Sequence, residues 1–232
     1  MRNITTGIIA FFFIISIQLY GQTPVNRYFE KVKSNAAIYT GEQESQYNFA
    51  FYDNHPYHKT SDFSTGEVYT NNNYYSNIEL RLDLYKNNLC AKTPNGHIVI
   101  IEKDHVKEFS FNHSYFLHIP ITNNWNLASG YYNRLYKGNE LTLLLREECI
   151  LNRPNDKVTS YFSFKKKYFL IMEGKAYPIN KKSNIYKLFP SHKKEIKKYA
   201  KERALRWREH RDQYLTEVFA LCEKLTYQTG KR

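Results

Sequence analysis

No apolar run in this chain reaches the roughly 20 residues that a membrane-spanning helix needs; the longest, from about Ile8 to Leu19, has about 12. Only three cysteines are present, Cys90, Cys149 and Cys222. They allow one disulfide with a thiol left over, which excludes a scaffold held by several bridges. Cys90 with Cys149 is one reading and three buried thiols is the other, because nothing in the spacing chooses between them. Gly-x-Ser-x-Gly elbows, His-Glu-x-x-His helices, Walker loops and dinucleotide fingerprints are all missing, so no catalytic or nucleotide-binding motif announces itself. No internal repeat occurs. Acidic residues are also scarce, 22 against 34 lysines and arginines, for a formal charge of +12.

What is present begins with "MRNITTGIIAFFFIISIQLYGQ": one basic residue, Arg2, the short apolar run, and a small residue, Gly21, before Gln22. This is the pattern of a secretory leader over residues 1–21, cut between Gly21 and Gln22. No cysteine lies near that point, which disfavours a lipid-anchored lipoprotein. The expected location is therefore outside the cytosol, in the periplasm or at the outer surface of a Gram-negative bacterium. The basic surplus is concentrated as well: Lys181 to Arg211 holds twelve lysines and arginines against three glutamates, nine net positive charges. In a cytosolic chain such a segment would suggest nucleic acid, but export removes that partner.

Residues 26–39 have the spacing of a short amphipathic helix, with Phe29, Val32 and Ala36 on one face. From there to about residue 180 the period becomes two. "IELRLDLY" alternates Ile78, Leu80, Leu82 and Leu84 against Glu79, Arg81, Asp83 and Tyr85, the habit of an antiparallel sheet packed on one face. Turn pairs at Asn95-Gly96, Gly138-Asn139 and Glu173-Gly174 or Gly174-Lys175 predict local reversals. About ten strands result, over 45–52, 66–70, 74–85, 88–93, 97–102, 106–111, 114–120, 131–149 broken at its hairpin, 158–164, and 167–179 broken at its turn. No 12-residue helical pattern interrupts them, which argues against βαβ units. "NHPYHKTSDFS" and "TNNWNLASG" read as polar surface loops.

Beyond residue 182, Ile196, Ala200, Ala204, Trp207, Tyr214, Val218, Leu221 and Leu225 recur every three or four residues. One helix from 192 to 227 would be about 54 Å long, against an expected domain diameter of about 40–45 Å. A break around Ala204 to Glu209 is therefore predicted, with Leu205 and Trp207 tacking the pair to the sheet, Ser191 as N-cap of the first helix and Asp212 near the start of the second. The fold expected is mainly β (α+β): a leader over 1–21, a curved antiparallel β domain over 22–182, and a basic helical region over 183–232 packed on it.

The leader before Gln22, "GEVYTNNNYYSNIELRLDLYKNNL", "VKEFSF", "GYYNRLYKGN" and "LFPSHKKEIKKYAKE" together resemble an uncharacterised family of exported, β-rich proteins of Bacteroidetes-type bacteria. The resemblance covers most of the chain after the leader. It implies an envelope protein with a basic helical tail and no activity for any residue. In architecture alone, the curved half-barrel of outer-membrane lipoprotein carriers is similar.

Asp53, His55, His58 and Asp62 crowd ten residues with groups able to ligate a transition metal, although Pro56 breaks the helical turn that would converge the histidines. His97, Glu102 and His105 lie near strand ends. His113 and His118 are an odd number apart and so diverge on a strand, as do the adjacent Glu147 and Glu148. Tyr69, Tyr74, Tyr75, Trp125, Tyr131 and Tyr132 offer an aromatic platform near loops. The basic candidates are Lys193, Lys194, Lys197, Lys198, Lys201 and Arg203, which suit an anionic lipid or glycolipid surface or an acidic envelope protein. The reading is a non-catalytic binding module of the envelope with no cofactor, no nucleic acid and no spanning segment once the leader is removed. Its rivals are a carrier of an apolar ligand on a half-barrel sheet and a metal-dependent hydrolase.

Overall fold

A computed structural model describes residues 36–49, 54–71, 73–153 and 160–229. The expected leader, the expected cleavage point at Gly21 and Gln22, and Asp53 lie outside these residues. So does the helix expected over 26–39, apart from Ala36–Tyr39, which forms a 3-10 turn. The chain divides into two units, Met1–Ile38 and Tyr39–Arg232, and the second holds the sheet and the helices.

Ten strands form one sheet: β1 (Ser64–Thr70), β2 (Tyr74–Asp83), β3 (Asn88–Lys92), β4 (Ile98–Ile100), β5 (Val106–Phe111), β6 (Ser114–Ile119), β7 (Gly130–Lys137), β8 (Leu141–Asn152), β9 (Tyr161–Met172) and β10 (Lys175–Pro178). Their spatial order is β10-β9-β8-β7-β6-β5-β1-β2-β3-β4, and every pair is antiparallel. The sheet is open and curved. Five strands separate β9 from β2, yet the Phe162 ring of β9 lies 5.6 Å from the Tyr85 ring just past β2. Alternation works as the sequence requires: Ile78, Leu80 and Leu82 are buried while Glu79 is exposed.

Residues 45–49 are not a strand. Gln43 makes an isolated bridge to Val99, and the alternating Tyr47 and Phe49 instead pack their rings against Phe162. Tyr47 also donates to Asp83 at 2.5 Å. A second difference is that β9 runs unbroken through Lys165-Lys166-Lys167, where a break was expected. Each lysine stands opposite β8, and acids neutralise the run: Lys167 meets Glu148 and Lys166 meets Asp212, both at 2.7 Å.

Turn chemistry departs from expectation in two of three places. At Thr93–His97 only Gly96 has positive φ, +85°, because Pro94 holds the preceding turn position at negative φ. The β7–β8 reversal falls at Asn139 and Glu140, with the Gly138 N–H donating to the Leu141 carbonyl at 2.8 Å. Gly138 is needed for space instead: a Cβ there would stand 1.4 Å from the Glu223 carboxylate. Glu173 and Gly174, with φ of 52° and 72°, form the expected type I′ turn.

Three helices follow: α1 (Lys182–Leu188), α2 (Lys193–Glu202) and α3 (Arg211–Thr229). The tail is broken, with Ala204 in the left-handed region at φ 49°, and Leu205 and Trp207 pack on the core as expected. Ser191 is not the N-cap; it sits inside the 3-10 turn Pro190–His192 that leads into α2, whose N-cap is His192. From α3, Tyr214, Leu215, Val218, Phe219 and Cys222 meet Leu141, Leu143, Leu145, Tyr168 and Leu170 of the sheet, joined by Ile185 and Ile196. Sheet and helices thus share one core, to which each fully buried Leu, Ile, Val or Phe contributes about 1.5–3 kcal/mol. The opposite face carries a smaller cluster of Ile119, Leu127, Tyr132, Leu144 and Ile171, with Trp125 packed on it. The segment "TNNWNLASG" is therefore a cover for this cluster rather than a purely surface loop.

A polar network under a strap across the concave face

Residues 54–63 form a strap across the concave face. One attachment is to β2, where the His58 N–H donates to Leu82 O at 2.9 Å and the Leu84 N–H to Pro56 O at 2.8 Å. The other is to β9: the Asn54 carboxamide bonds both backbone groups of Phe162, accepting from its N–H at 2.9 Å. This is where the sheet curls over. The segment read as a polar surface loop is thus partly interior, with Pro56 and His58 buried.

His58, 3% exposed, makes the central contacts. Its Nδ1 is 2.6 Å from Glu147 Oε2 and its Nε2 is 3.1 Å from Ser114 Oγ. Phe116 packs edge-on against the imidazole at 5.0 Å and Phe111 at 6.0 Å. Ser114 Oγ also accepts from Lys59 Nζ at 2.8 Å, and the same ammonium donates to Asn112 O at 3.0 Å. An ammonium only donates. With a neutral imidazole the chain therefore has one direction: Lys59 donates to Ser114, the Ser114 hydroxyl donates to His58 Nε2, and Nδ1–H donates to Glu147.

Local backbone places each member. Asn112 and His113, with φ of 48° and 55°, are the centre of a two-residue type I′ turn between β5 and β6, so Ser114 opens β6 directly after the reversal. On β8, Glu147 shares the inward phase of Leu143 and Leu145. Lys59 holds φ 59°, an uncommon conformation for a non-glycine residue, immediately after the buried imidazole.

The network borders a cleft of about 1040 Å³ at the β5–β6 turn, lined by His58, Lys59, Ser114, Asn133, Arg134 and Glu147, with Lys166 and Asp212 also contributing. Leu135, Leu145 and Phe111 supply apolar side chains to the lining. Asn133 is 7% exposed and stands in the buried row Phe116, Asn133, Leu145, Tyr168 across four strands. Its carboxamide has no side-chain partner among the described residues. Polar side chains dominate the lining by number, while its exposed surface divides almost evenly between polar and apolar atoms.

The residues singled out from sequence scatter widely. His55 Nδ1 accepts from the Tyr57 N–H at 3.3 Å, and Asp62 bonds Thr60, while His58 spends both ring nitrogens on Glu147 and Ser114. Among the described residues no three His, Cys, Asp or Glu side chains gather as a metal site. Glu102 and His105 pair at 3.1 Å on an exposed 3-10 turn. Glu147 and Glu148 diverge as expected, the second reaching Arg146 and Lys167. The aromatic platform dissolves: Tyr75, Tyr131 and Tyr132 are buried, and only Tyr69 and Tyr74 remain an outer ring pair, 4.6 Å apart. All three cysteines are buried free thiols, and burial pushes them up, Cys149 and Cys222 to about 12.

On α2, Lys193, Lys194, Lys197, Lys198 and Lys201 are exposed, as is Arg203, which pairs with Glu217 at 3.2 Å. At 100° per residue the five lysines fill one continuous arc of about 140°. Ile196, fully buried, and Ala200 hold the other side of the helix on the core. Glu202 approaches Lys198 at 3.8 Å, on the edge of that arc. No helix among the described residues is long and apolar enough to cross a membrane.

Sequence reading missed Ser114 and the pairing of His58 with Glu147. A signal for two of the three was present: Ser114 falls in phase with Phe116, and Glu147 in phase with Leu141, Leu143 and Leu145, so each is polar at an inward position. Comparison of the chain with protein-family models, with curated proteins and with solved structures finds no match.

Proposed function

We propose that this chain is an exported protein of a Gram-negative cell envelope that attaches to an anionic surface through α2. The observation that carries this reading is the arc of five exposed lysines on a helix whose opposite side is anchored in the core. Docking fixes the arc outward, so the charges are presented together without ordering a flexible tail. Near an anionic leaflet each lysine contributes about 1 kcal/mol, enough in combination to hold the protein without a lipid anchor. The short apolar leader and the resemblance to exported β-rich proteins support the location. An acidic envelope protein offers the same complementary charge as lipid or glycolipid head groups.

Sedimentation with vesicles tests it. Binding to vesicles containing anionic phospholipid should exceed binding to neutral vesicles and weaken steeply with salt. Replacing Lys193, Lys194, Lys197 and Lys198 with glutamine should lower the affinity at least about tenfold. Unchanged binding by that variant contradicts the proposal. Recovery of the chain from the cytosol with Met1 in place contradicts the location and returns nucleic acid as the partner of the same lysines.

A further inference from the structure

A buried imidazole satisfied by two hydrogen bonds can be purely structural, and the contact of His58 with Glu147 alone would be read that way. Three further observations carry the network past that role. Ser114 and Glu147 border the cleft rather than closed core. Lys59, at φ 59°, brings its ammonium to 2.8 Å from Ser114 Oγ, and a backbone held in that region by a non-glycine residue costs of order 1 kcal/mol that the surroundings must sustain. Asn133 lines the same cleft, buried and without a side-chain partner among the described residues.

We infer that Ser114, His58 and Glu147 form a nucleophilic site that hydrolyses acyl esters of polar alcohols bound in the cleft. The order of contacts is the one this chemistry needs, with hydroxyl on Nε2 and carboxylate on Nδ1. Ser114 Oγ attacks the ester carbonyl carbon and gives its proton to His58 Nε2. The tetrahedral oxyanion meets the Lys59 ammonium and the free Asn133 amide. The bond to the leaving alcohol breaks, and that alcohol departs with the proton from Nε2. Water then attacks the acyl-serine, passing a proton through His58 back to Ser114 Oγ, and releases the carboxylic acid. Glu147 is a positioning residue: it keeps the proton on Nδ1 and balances the transient imidazolium. Leu135, Leu145 and Phe111 supply apolar side chains of the lining for the acyl group. The polar remainder suits a polyol or sugar alcohol. This chemistry is independent of attachment by α2.

The test is mass spectrometry of the full chain after treatment with a fluorophosphonate, alongside turnover of p-nitrophenyl acetate. One phosphonyl group should appear, and fragmentation should place it on Ser114. Ser114→Ala should remove both adduct and turnover. Glu147→Gln should lower kcat on the order of 100-fold or more while leaving KM within about twofold, and should displace the pH–rate profile. Circular dichroism confirms that each variant is folded, and the adduct on the unmodified sequence needs no variant at all. Absence of the adduct from Ser114, or turnover that survives Ser114→Ala, overturns the inference. Loss of vesicle binding with labelling intact would strike the α2 reading alone.

Discussion

The two parts of the concave face are built from opposite chemistry. Between α3 and the sheet, Leu143, Leu170, Val218 and Phe219 are fully buried. Beneath the strap, the equivalent inward positions hold Ser114, Asn133 and Glu147 around a buried histidine, beside an open cleft. The first arrangement is cheap to build, because apolar burial is non-directional. The second keeps polar groups at inward positions that apolar side chains would fill more stably, and each must find a partner or pay for its desolvation.

Truncating the apolar part should have the largest effect. Phe219→Ala should lower unfolding free energy by about 3–5 kcal/mol, read as a shift in denaturant midpoint at unchanged slope. If helix signal and sheet signal melt separately, the shared core is wrong. Gly138→Ala comes next. The added methyl must displace the Glu223 carboxylate, which accepts from the Tyr136 hydroxyl and, at 2.7 Å, from the Glu140 N–H. A loss of about 2–3 kcal/mol is expected from the broken charged hydrogen bonds, and an unchanged midpoint would show that α3 is not pinned there.

The same carboxylate predicts a smaller, pH-dependent effect. Burial acts to raise the Glu223 pKa, but hydrogen bonds from Tyr136 and from the backbone of Asn139, Glu140 and Leu141 outweigh it and leave it lowered. A depressed folded value means that its stabilisation is present above the unfolded glutamate range, about pH 4.3, and is lost as pH falls through the folded value. Glu223→Gln should flatten stability in that acid window, which equilibrium unfolding at several pH values would detect. On the polar side, Ser114→Ala leaves the buried His58 Nε2 without its partner and should cost about 1–3 kcal/mol, less than Phe219→Ala. Glutamine at Lys193, Lys194, Lys197 and Lys198 should move stability least, within about 0.5 kcal/mol per site, while weakening vesicle binding.

The contrast also explains what the sequence revealed. Period two in "IELRLDLY" and period three to four in the tail report burial along a single element, so the antiparallel sheet and the docked helical tail were legible, while the break near Ala204 followed from the length of an unbroken helix against the diameter of the domain. The strap was not, because Pro56 and His58 sit in a segment without periodicity whose partners lie on β2, β6, β8 and β9. Gly138 was misjudged for a related reason: its neighbour in space is Glu223, 85 positions along the chain. Tyr47 and Phe49 mimicked a strand because alternate aromatics can line up their rings against Phe162 as the side chains of a strand would. The site itself was half visible in Ser114 and Glu147, polar residues in inward phase, but the histidine joining them belonged to what looked like a loop.

The geometry of that histidine is the most direct point of attack. Nitrogen-15 NMR of the imidazole rings, with His58 assigned by comparison with His58→Gln, should find a strongly hydrogen-bonded proton on His58 Nδ1 that Glu147→Gln displaces. A His58 ring protonated on Nε2 instead, and indifferent to Glu147→Gln, would contradict the network on which the cleft's chemistry rests.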